Sequence, residues 1–309
     1  GLNGQKAIEE AWRLVLARDP AGVELDMALS HYAKQKGRFQ REEGSEPDSL
    51  GIPGQGLSLW LTADRGLKMD SKGRAERWLD ESGEEHHARQ GESGCRPRLI
   101  KDAIAGRPAL RFSGEGDYLS LEGEVVNSQS NTIIAVASDR SGLVSHRGIF
   151  SNWNGSAGNS TTSLFLGLTG KGTVRFSDDY RSQGGVEQSG DAFVLAASTG
   201  SGGSVILYNG SVIGSRSSSL SRRKLEGSYV IGQQGNIDGE YWTGDIAEIL
   251  VYNRQLSAAE LRHVGGLLAE KYSVPFASRE SISDPGPELR AIASVCHVLL
   301  NTNEFLYVD

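Results

Sequence analysis

The stretch from Gly239 to Tyr272, G-E-Y-W-T-G-D-I-A-E-I-L-V-Y-N-R-Q-L-S-A-A-E-L-R-H-V-G-G-L-L-A-E-K-Y, most constrains what this chain can fold into. A β run, Asp245 to Tyr252, stops at Asn253-Arg254, and Ser257-Ala-Ala-Glu260 follows with S-x-x-E spacing. That spacing predicts a capping box, in which the hydroxyl and the carboxylate each satisfy a backbone donor that a helix's first turn leaves unpaired. The helix it opens carries Leu261, Val264, Gly265 and Leu268 at i, i+3, i+4 and i+7, one narrow apolar stripe. A strand therefore hands over to a helix that lies on the body of the domain.

The body ahead of it reads as β. Short Val/Ile/Leu/Phe runs alternate with Gly/Ser/Asn clusters, and 40 glycines against 8 prolines in 309 residues suit a turn-rich sheet protein. Leu57 to Thr62 begins it, with Trp60 on one face and Leu59 and Leu61 on the other. Further strands are expected at Ala109–Ser113, Asp117–Leu121, Asn131–Ser138, Gly148–Asn152, Ser163–Thr169, Thr173–Ser177, Ala192–Thr199, Ser204–Tyr208, Ser211–Gly214, Ser228–Gly232 and Asp245–Tyr252. Asn209-Gly210, in V-I-L-Y-N-G-S-V-I-G, can both adopt positive φ and predict a two-residue type I′ hairpin. No fixed-period repeat occurs, which argues against a propeller or solenoid. About a dozen strands without intervening helices predict two stacked antiparallel sheets.

Both ends read as helical. Ile8 to Ala17 places Ile8, Trp12, Val15 and Leu16 on one side, and Asp19-Pro20 supplies an N-cap and a first-turn proline for a second helix. Val23, Met27 and Tyr32 mark its expected inner face, and the pattern ends near Phe39. Arg41 to Gly56 is aperiodic and reads as a linker, as does Ser273 to Ser283. Asp284-Pro285 then caps a last helix with Leu289, Ile292, Ala293, Cys296, Leu299 and Leu300 on one stripe. The expected organisation is a hairpin at 1–40, a linker at 41–56, a sandwich at 57–276, and 277–309 packing back on the hairpin.

Three pieces of the middle region resemble the laminin-G-like domains of the concanavalin A-like lectin/glucanase superfamily. They are L-W-L-T-A-D (Leu59–Asp64) with W-L-D-E-S-G (Trp78–Gly83) and R-P-A-L-R-F-S-G-E-G-D-Y-L (Arg107–Leu119), the L-Y-N-G-S-V-I-G hairpin, and the strand and helix described first. The resemblance implies a mainly β, jelly-roll sandwich. The ends resemble a planctomycete-specific family of unknown function, through R-D-P-A-G-V-E-L-D-M-A-L (Arg18–Leu29) and C-H-V-L-L-N-T-N-E-F-L-Y-V-D (Cys296–Asp309). That likeness implies the C-terminal part of a longer, extracytoplasmic protein whose upstream domains are partners, and the start at Gly1 without Met agrees with an excised piece. No C-x-x-C-H occurs, so no haem attaches to these residues.

A net charge of -7 and the lack of a long Lys/Arg run argue against nucleic acid. Arg216 with Arg222-Arg223-Lys224 is the densest basic group and reads as a solvated loop. No apolar run approaches the roughly 18 residues of a membrane-spanning helix. Cys95 and Cys296 are the two cysteines; they could form one bridge, but Cys296, on an apolar stripe, reads as a buried free thiol.

A glucanase needs two convergent carboxylates about 5 Å apart. Asp245 and Glu248 have odd spacing, so regular pleating sends them to opposite faces unless a bulge intervenes. Glu84-Glu85-His86-His87 lacks the helical spacing of a zinc site. Asp178-Asp179 could hold Ca²⁺, although no spaced D-x-D-x-D loop supports it. Carbohydrate recognition wants an aromatic plate beside amides or carboxylates. Trp153-Asn154, Asp178-Asp179-Tyr180-Arg181 and Asp238-Gly239-Glu240-Tyr241-Trp242 have that composition, although Arg181 could instead pair with Asp179. The expectation is a non-catalytic module for a polysaccharide or glycan, with no cofactor unless Ca²⁺. A structural, protein-interaction domain is the alternative, and a glycoside hydrolase is a third.

Overall fold

The computed structural model describes residues 4–43, 51–142, 146–152, 163–187, 189–235, 239–277 and 287–300. In chain order these form helices Gly4–Leu16 (α1) and Gly22–Glu43 (α2), then strands Leu57–Thr62 (β1), Leu67–Met69 (β2), Ala75–Trp78 (β3), Ala88–Arg89 (β4), Arg98–Ile104 (β5), Arg107–Ser113 (β6), Leu119–Leu121 (β7), Asn131–Asp139 (β8) and Arg147–Asn152 (β9). Phe165–Leu168 (β10), Thr173–Phe176 (β11), Tyr180–Gly185 (β12), Ala192–Gly200 (β13), Gly203–Tyr208 (β14), Ser211–Arg216 (β15), Tyr229–Ile231 (β16) and Thr243–Tyr252 (β17) follow. Helices Ala258–Lys271 (α3) and Pro287–Leu300 (α4) complete the order. The chain divides into two compact units, Gly1–Asp48 with Arg279–Asp309, and Ser49–Ser278.

The β unit is two antiparallel sheets. One has eight strands in the order β15-β14-β13-β8-β17-β6-β5, with β1 also on β17; the other has nine, β12-β11-β10-β9-β16-β7-β4-β3-β2. The main core lies between them, and Leu59, Leu61, Trp78, Phe112, Phe150, Phe176, Tyr229 and Trp242 are among its buried side chains. A second core covers the other face of the eight-stranded sheet, where Trp60, Ala109, Ile134, Leu250 and Tyr252 meet Leu261, Val264 and Leu268 of α3. Buried on both faces, β17 is apolar nearly throughout, as such strands must be.

The capping box forms: Ser257 Oγ accepts from Glu260 N, and Ser257 N donates to Glu260 Oε2 at 2.8 Å. Gly265 is on the stripe because a side chain there would meet the ring of Phe276 at 2.8 Å. Asn209 and Gly210 have φ of 48° and 80° between paired Tyr208 and Ser211, the predicted type I′ hairpin.

Several expectations are corrected. β17 shifts register between Ile246 and Glu248. Ile246 and Ile249 point into the main core while Ala247 and Leu250 join the second, so the bulge puts Asp245 and Glu248 on one face, against the regular-pleat reading. Residues 51–56 are not spacer: Ile52 is buried in the second core and Gly51 O binds His263.

The helical unit is built round Ile8, Ala11, Trp12, Ala28, Val295 and Leu299. Val23 and Met27 are 73% and 70% exposed, so the inner face of α2 is turned toward Ala28 instead. On α4 the buried positions are Ala291, Val295 and Leu299, spaced by four, while Leu289 is 56% exposed. Small Ala291 lets the helix approach closely where the leucine-weighted stripe pointed elsewhere. Ala21 rather than Asp19 flanks α2, its N–H donating to Glu24 Oε2 at 2.7 Å. Asp19 is paired with Arg13. Both cysteines are free thiols and half-buried.

Candidate functional site

The face of the nine-stranded sheet turned away from the core is ordered by cross-strand register. Partners Val230, Ser151 and Phe165 form one row. Gly167, Arg175 and Arg181 form the next, with Gly148 opposite Gly167. The glycines leave room at this end: a side chain on Gly148 would strike the backbone of Gln233 and Gln234 at 2.8 Å. That backbone is held by the Gln233–Tyr241 bridge and by Gln234 N donating to Glu240 O at 3.1 Å. Gly148 N donates to the same carbonyl at 3.3 Å, which ties Glu240 to β9.

Arg175 is the centre of this arrangement. Its guanidinium lies 4.6 Å from the centroid of Phe165, Nη1 donates to Gln234 Oε1 at 3.2 Å, and Glu240 Oε2 stands 3.8 Å away. Burial pulls the Arg175 pKa below its usual value and pushes the Glu240 carboxyl above its own, each partly opposed by the other's charge. Burial, with the charges of Arg175, Arg181 and Arg147, also lowers the pKa of His146 beside them. Ser151 Oγ, Arg175 Nε, Gln234 Nε2 and Glu240 Oε2 are all buried and, among the described residues, have no hydrogen-bond partner. Buried polar atoms are ordinarily paired, so four such atoms on one face set this face apart from the rest of the sheet.

The sequence-predicted residues fall differently. Trp153, Asn154 and Asp238 lie outside the described residues. Trp242 is wholly buried in the main core and Tyr180 nearly so, so neither presents an aromatic plate; each stands at an inward position of its strand or turn. Asp178 and Asp179 are bound by Arg223 and Arg216, each at 2.6 Å. Arg181 therefore is not the partner of Asp179, the basic loop is not merely solvated, and a cation at this turn would compete with two guanidinium groups. Arg181 is exposed on the outer face, and Tyr241 pairs with Gln233. Sequence reasoning missed Arg175, Phe165 and Gln234. The alternation T-V-R-F opposite F-L-G-L was the available signal, since it puts Arg175 beside Gly167 on the non-core face.

The two carboxylates weighed for hydrolysis are held separately. Asp245 is fully buried and takes Arg111 Nε and Nη2 at 2.7 and 2.9 Å and Arg140 Nε at 3.2 Å. Glu248 accepts from Trp60 Nε1 at 2.7 Å, Lys271 Nζ at 2.6 Å and the Tyr272 hydroxyl at 2.9 Å. Lys271 also reaches Asp64 at 2.7 Å, beside a cavity of about 410 Å³ under α3. His86 and His87 serve different partners, Glu122 O and Asp80 N.

Solved structures share the fold. Trypanosoma rangeli sialidase matches at 14% identity with a TM-score of 0.51, covering 83% of this chain and 40% of that one. A mutant of it displaying trans-sialidase activity matches at 12% identity and 0.51, covering 81% and 40%. Its complex with sialic acid matches at 12% and 0.50, covering 82% and 39%. This chain thus spans about two fifths of those structures, and the likeness is one of fold. No curated protein matches the chain. Residues 113–262, which run from the end of β6 into α3, match the laminin G family model described as the concanavalin A-like lectin/glucanases superfamily, and over those residues the chain is similar to that family.

Proposed function

We propose that the β unit is a non-catalytic carbohydrate-recognition module, with its site on the outer face of the nine-stranded sheet around Arg175, Gln234 and Glu240. The observation that carries the reading is the set of four buried, unpaired polar atoms there. Each leaves about 1–3 kcal/mol of desolvation uncompensated. A sugar suits a face of this mixed polarity, because every hydroxyl is both donor and acceptor. With Phe165 covered by Arg175, recognition here is polar and not by aromatic stacking. Asp245 and Glu248, each engaged by its own donors, take no part as an acid and nucleophile, and Ca²⁺ has no role. The larger extracytoplasmic parent protein belongs to the same proposal. Among the described residues no helix is long and apolar enough to cross a membrane.

The test is titration calorimetry of the full chain against neutral polysaccharides, arabinan, xylan and a mixed-linkage β-glucan. Saturable binding to at least one is expected; no heat with any of them would sink the proposal. The helical unit favours a second role for itself: Leu14, Val23, Met27, Leu289 and Val298 are exposed on it, a surface suited to upstream parts of a parent chain. Capture of those upstream domains by the isolated chain would support it, and failure to capture them would remove it.

A further inference from the structure

The geometry points to a separate anion site on the eight-stranded sheet, one that takes the carboxylate or sulfate group of an acidic polysaccharide. Arg74, Arg98, Arg111, Asp245 and Ser138 are successive cross-strand partners, so they form a single row on the face away from the main core. Like charges directly opposite one another destabilise a sheet, yet three arginines stand in line here. Asp245 is the one carboxylate in the row, and Arg111 and Arg140 already share it.

These arginines line an open cavity of about 440 Å³ with Glu115 and Asp117 on its wall. Four guanidinium groups against those two carboxylates and Asp245 leave one positive charge uncompensated, in a chain whose net charge is -7. The donors are free in the right place. Arg98 is exposed, and among the described residues its guanidinium has no hydrogen-bond or ion-pair partner. Arg111 engages Asp245 through Nε and Nη2 and keeps Nη1 unused, while Arg140 uses Nε alone. Asp245 thus acts as a buried anchor shared by two arginines that line the cavity. Neighbouring strands about 4.8 Å apart set Arg98 and Arg111 at a separation that a bidentate oxyanion can bridge. Asp117, which accepts from Ser113 N at 2.8 Å and lies 3.7 Å from Arg74, holds the rim and draws Arg74 aside.

That the anionic group is carried by a polysaccharide rests on the recognition role proposed above; the anion site itself does not. The experiment is calorimetry of the full chain with polygalacturonate, dextran sulfate and uncharged dextran, for the natural chain, Arg98→Ala and Arg98→Lys. Arg98 is exposed, so neither change moves the melting temperature. Binding of polygalacturonate identifies a carboxylate source and binding of dextran sulfate a sulfate source. In either case affinity falls about tenfold in Arg98→Ala, the loss of one charge-assisted contact, and recovers in part in Arg98→Lys. Absence of binding to both charged polymers, or equal binding by Arg98→Ala, overturns the site. Charged polymers bound through Arg98 with no response to any neutral polysaccharide would remove the site at Arg175 and leave this one standing. The reverse result removes this one alone.

Discussion

Arg175 and Glu240 face each other across 3.8 Å, an ion pair too long for a hydrogen bond. Both are largely buried, and Glu240 Oε2 and Arg175 Nε have no other partner. The gap, and not the pair, is the informative feature.

Glu240 carries a pH signature. Burial raises its pKa, with Arg175 opposing. A carboxyl raised in the folded state favours folding below its unfolded value of about 4.3 and loses that contribution as pH rises through the folded value. Glu240→Gln is therefore expected to melt higher than the natural chain at pH 7, with the difference gone below about pH 4. Melting curves across that range check it, and a lower melting temperature for the variant at pH 7 would contradict it.

Lys271 neutralises Glu248, which is 1% exposed. Replacing Lys271 with Met leaves a buried carboxylate short of its cation, at a cost of about 3 kcal/mol because Lys271 is itself partly exposed. Adding Glu248→Gln should recover part of that loss. Urea unfolding of the two variants measures both terms, and a cost below about 1 kcal/mol for the single change is the contrary result.

Two adjacent glycines in α3 should answer oppositely to alanine. Gly266 has open space around its missing side chain, so Gly266→Ala is expected to stabilise by about 0.5–1 kcal/mol through helix propensity. Gly265→Ala meets Phe276 at 2.8 Å and should destabilise by about 1–3 kcal/mol. Equal responses in denaturant unfolding would show that α3 does not seat on the sheet as described.

The cap of the same helix has its own test. Arg254 and the Ser257 N–H hold the Glu260 pKa low despite burial, which alone would raise it. Its contribution is present above about pH 4.3 and is lost as pH falls through the depressed folded value. Ser257→Ala should cost about 1 kcal/mol at pH 7. Stability followed down to pH 2 should show the acid-side loss in the natural chain, and a flat profile there would speak against the pairing.

The architecture was legible where local chemistry is strong. Asn209-Gly210 specified its turn and Ser257-x-x-Glu260 its helix start, and alternation located Trp60 opposite Leu59 and Leu61. Legibility failed for β2, β3 and β4, of two to four residues each, for β5, whose R-L-I-K-D-A-I puts charges on both faces, and for β12, whose Y-R-S-Q-G-G has no apolar face to count. It failed also at Ala247, where an inserted residue reverses the facing of Glu248, because a bulge leaves no compositional mark. The site was less legible than the fold. Aromatics flagged for sugar contact, Tyr180 and Trp242, were drawn into the core by the same apolar surface that made them conspicuous. Arg175 reads from sequence as a solvated strand position, and no local pattern marks Gln234 and Glu240, far along the chain, as its neighbours.

Gln234 is 1% exposed and holds Arg175 through Oε1, while among the described residues Nε2 has no partner. Calorimetry should compare the natural chain with Gln234→Leu, a change of similar volume, on whichever neutral polysaccharide binds. The account predicts at least a tenfold loss of affinity, from the hydrogen bonds removed, with folding retained in the melting curve. Undiminished affinity in a folded Gln234→Leu variant would place carbohydrate binding elsewhere on the molecule and contradict it.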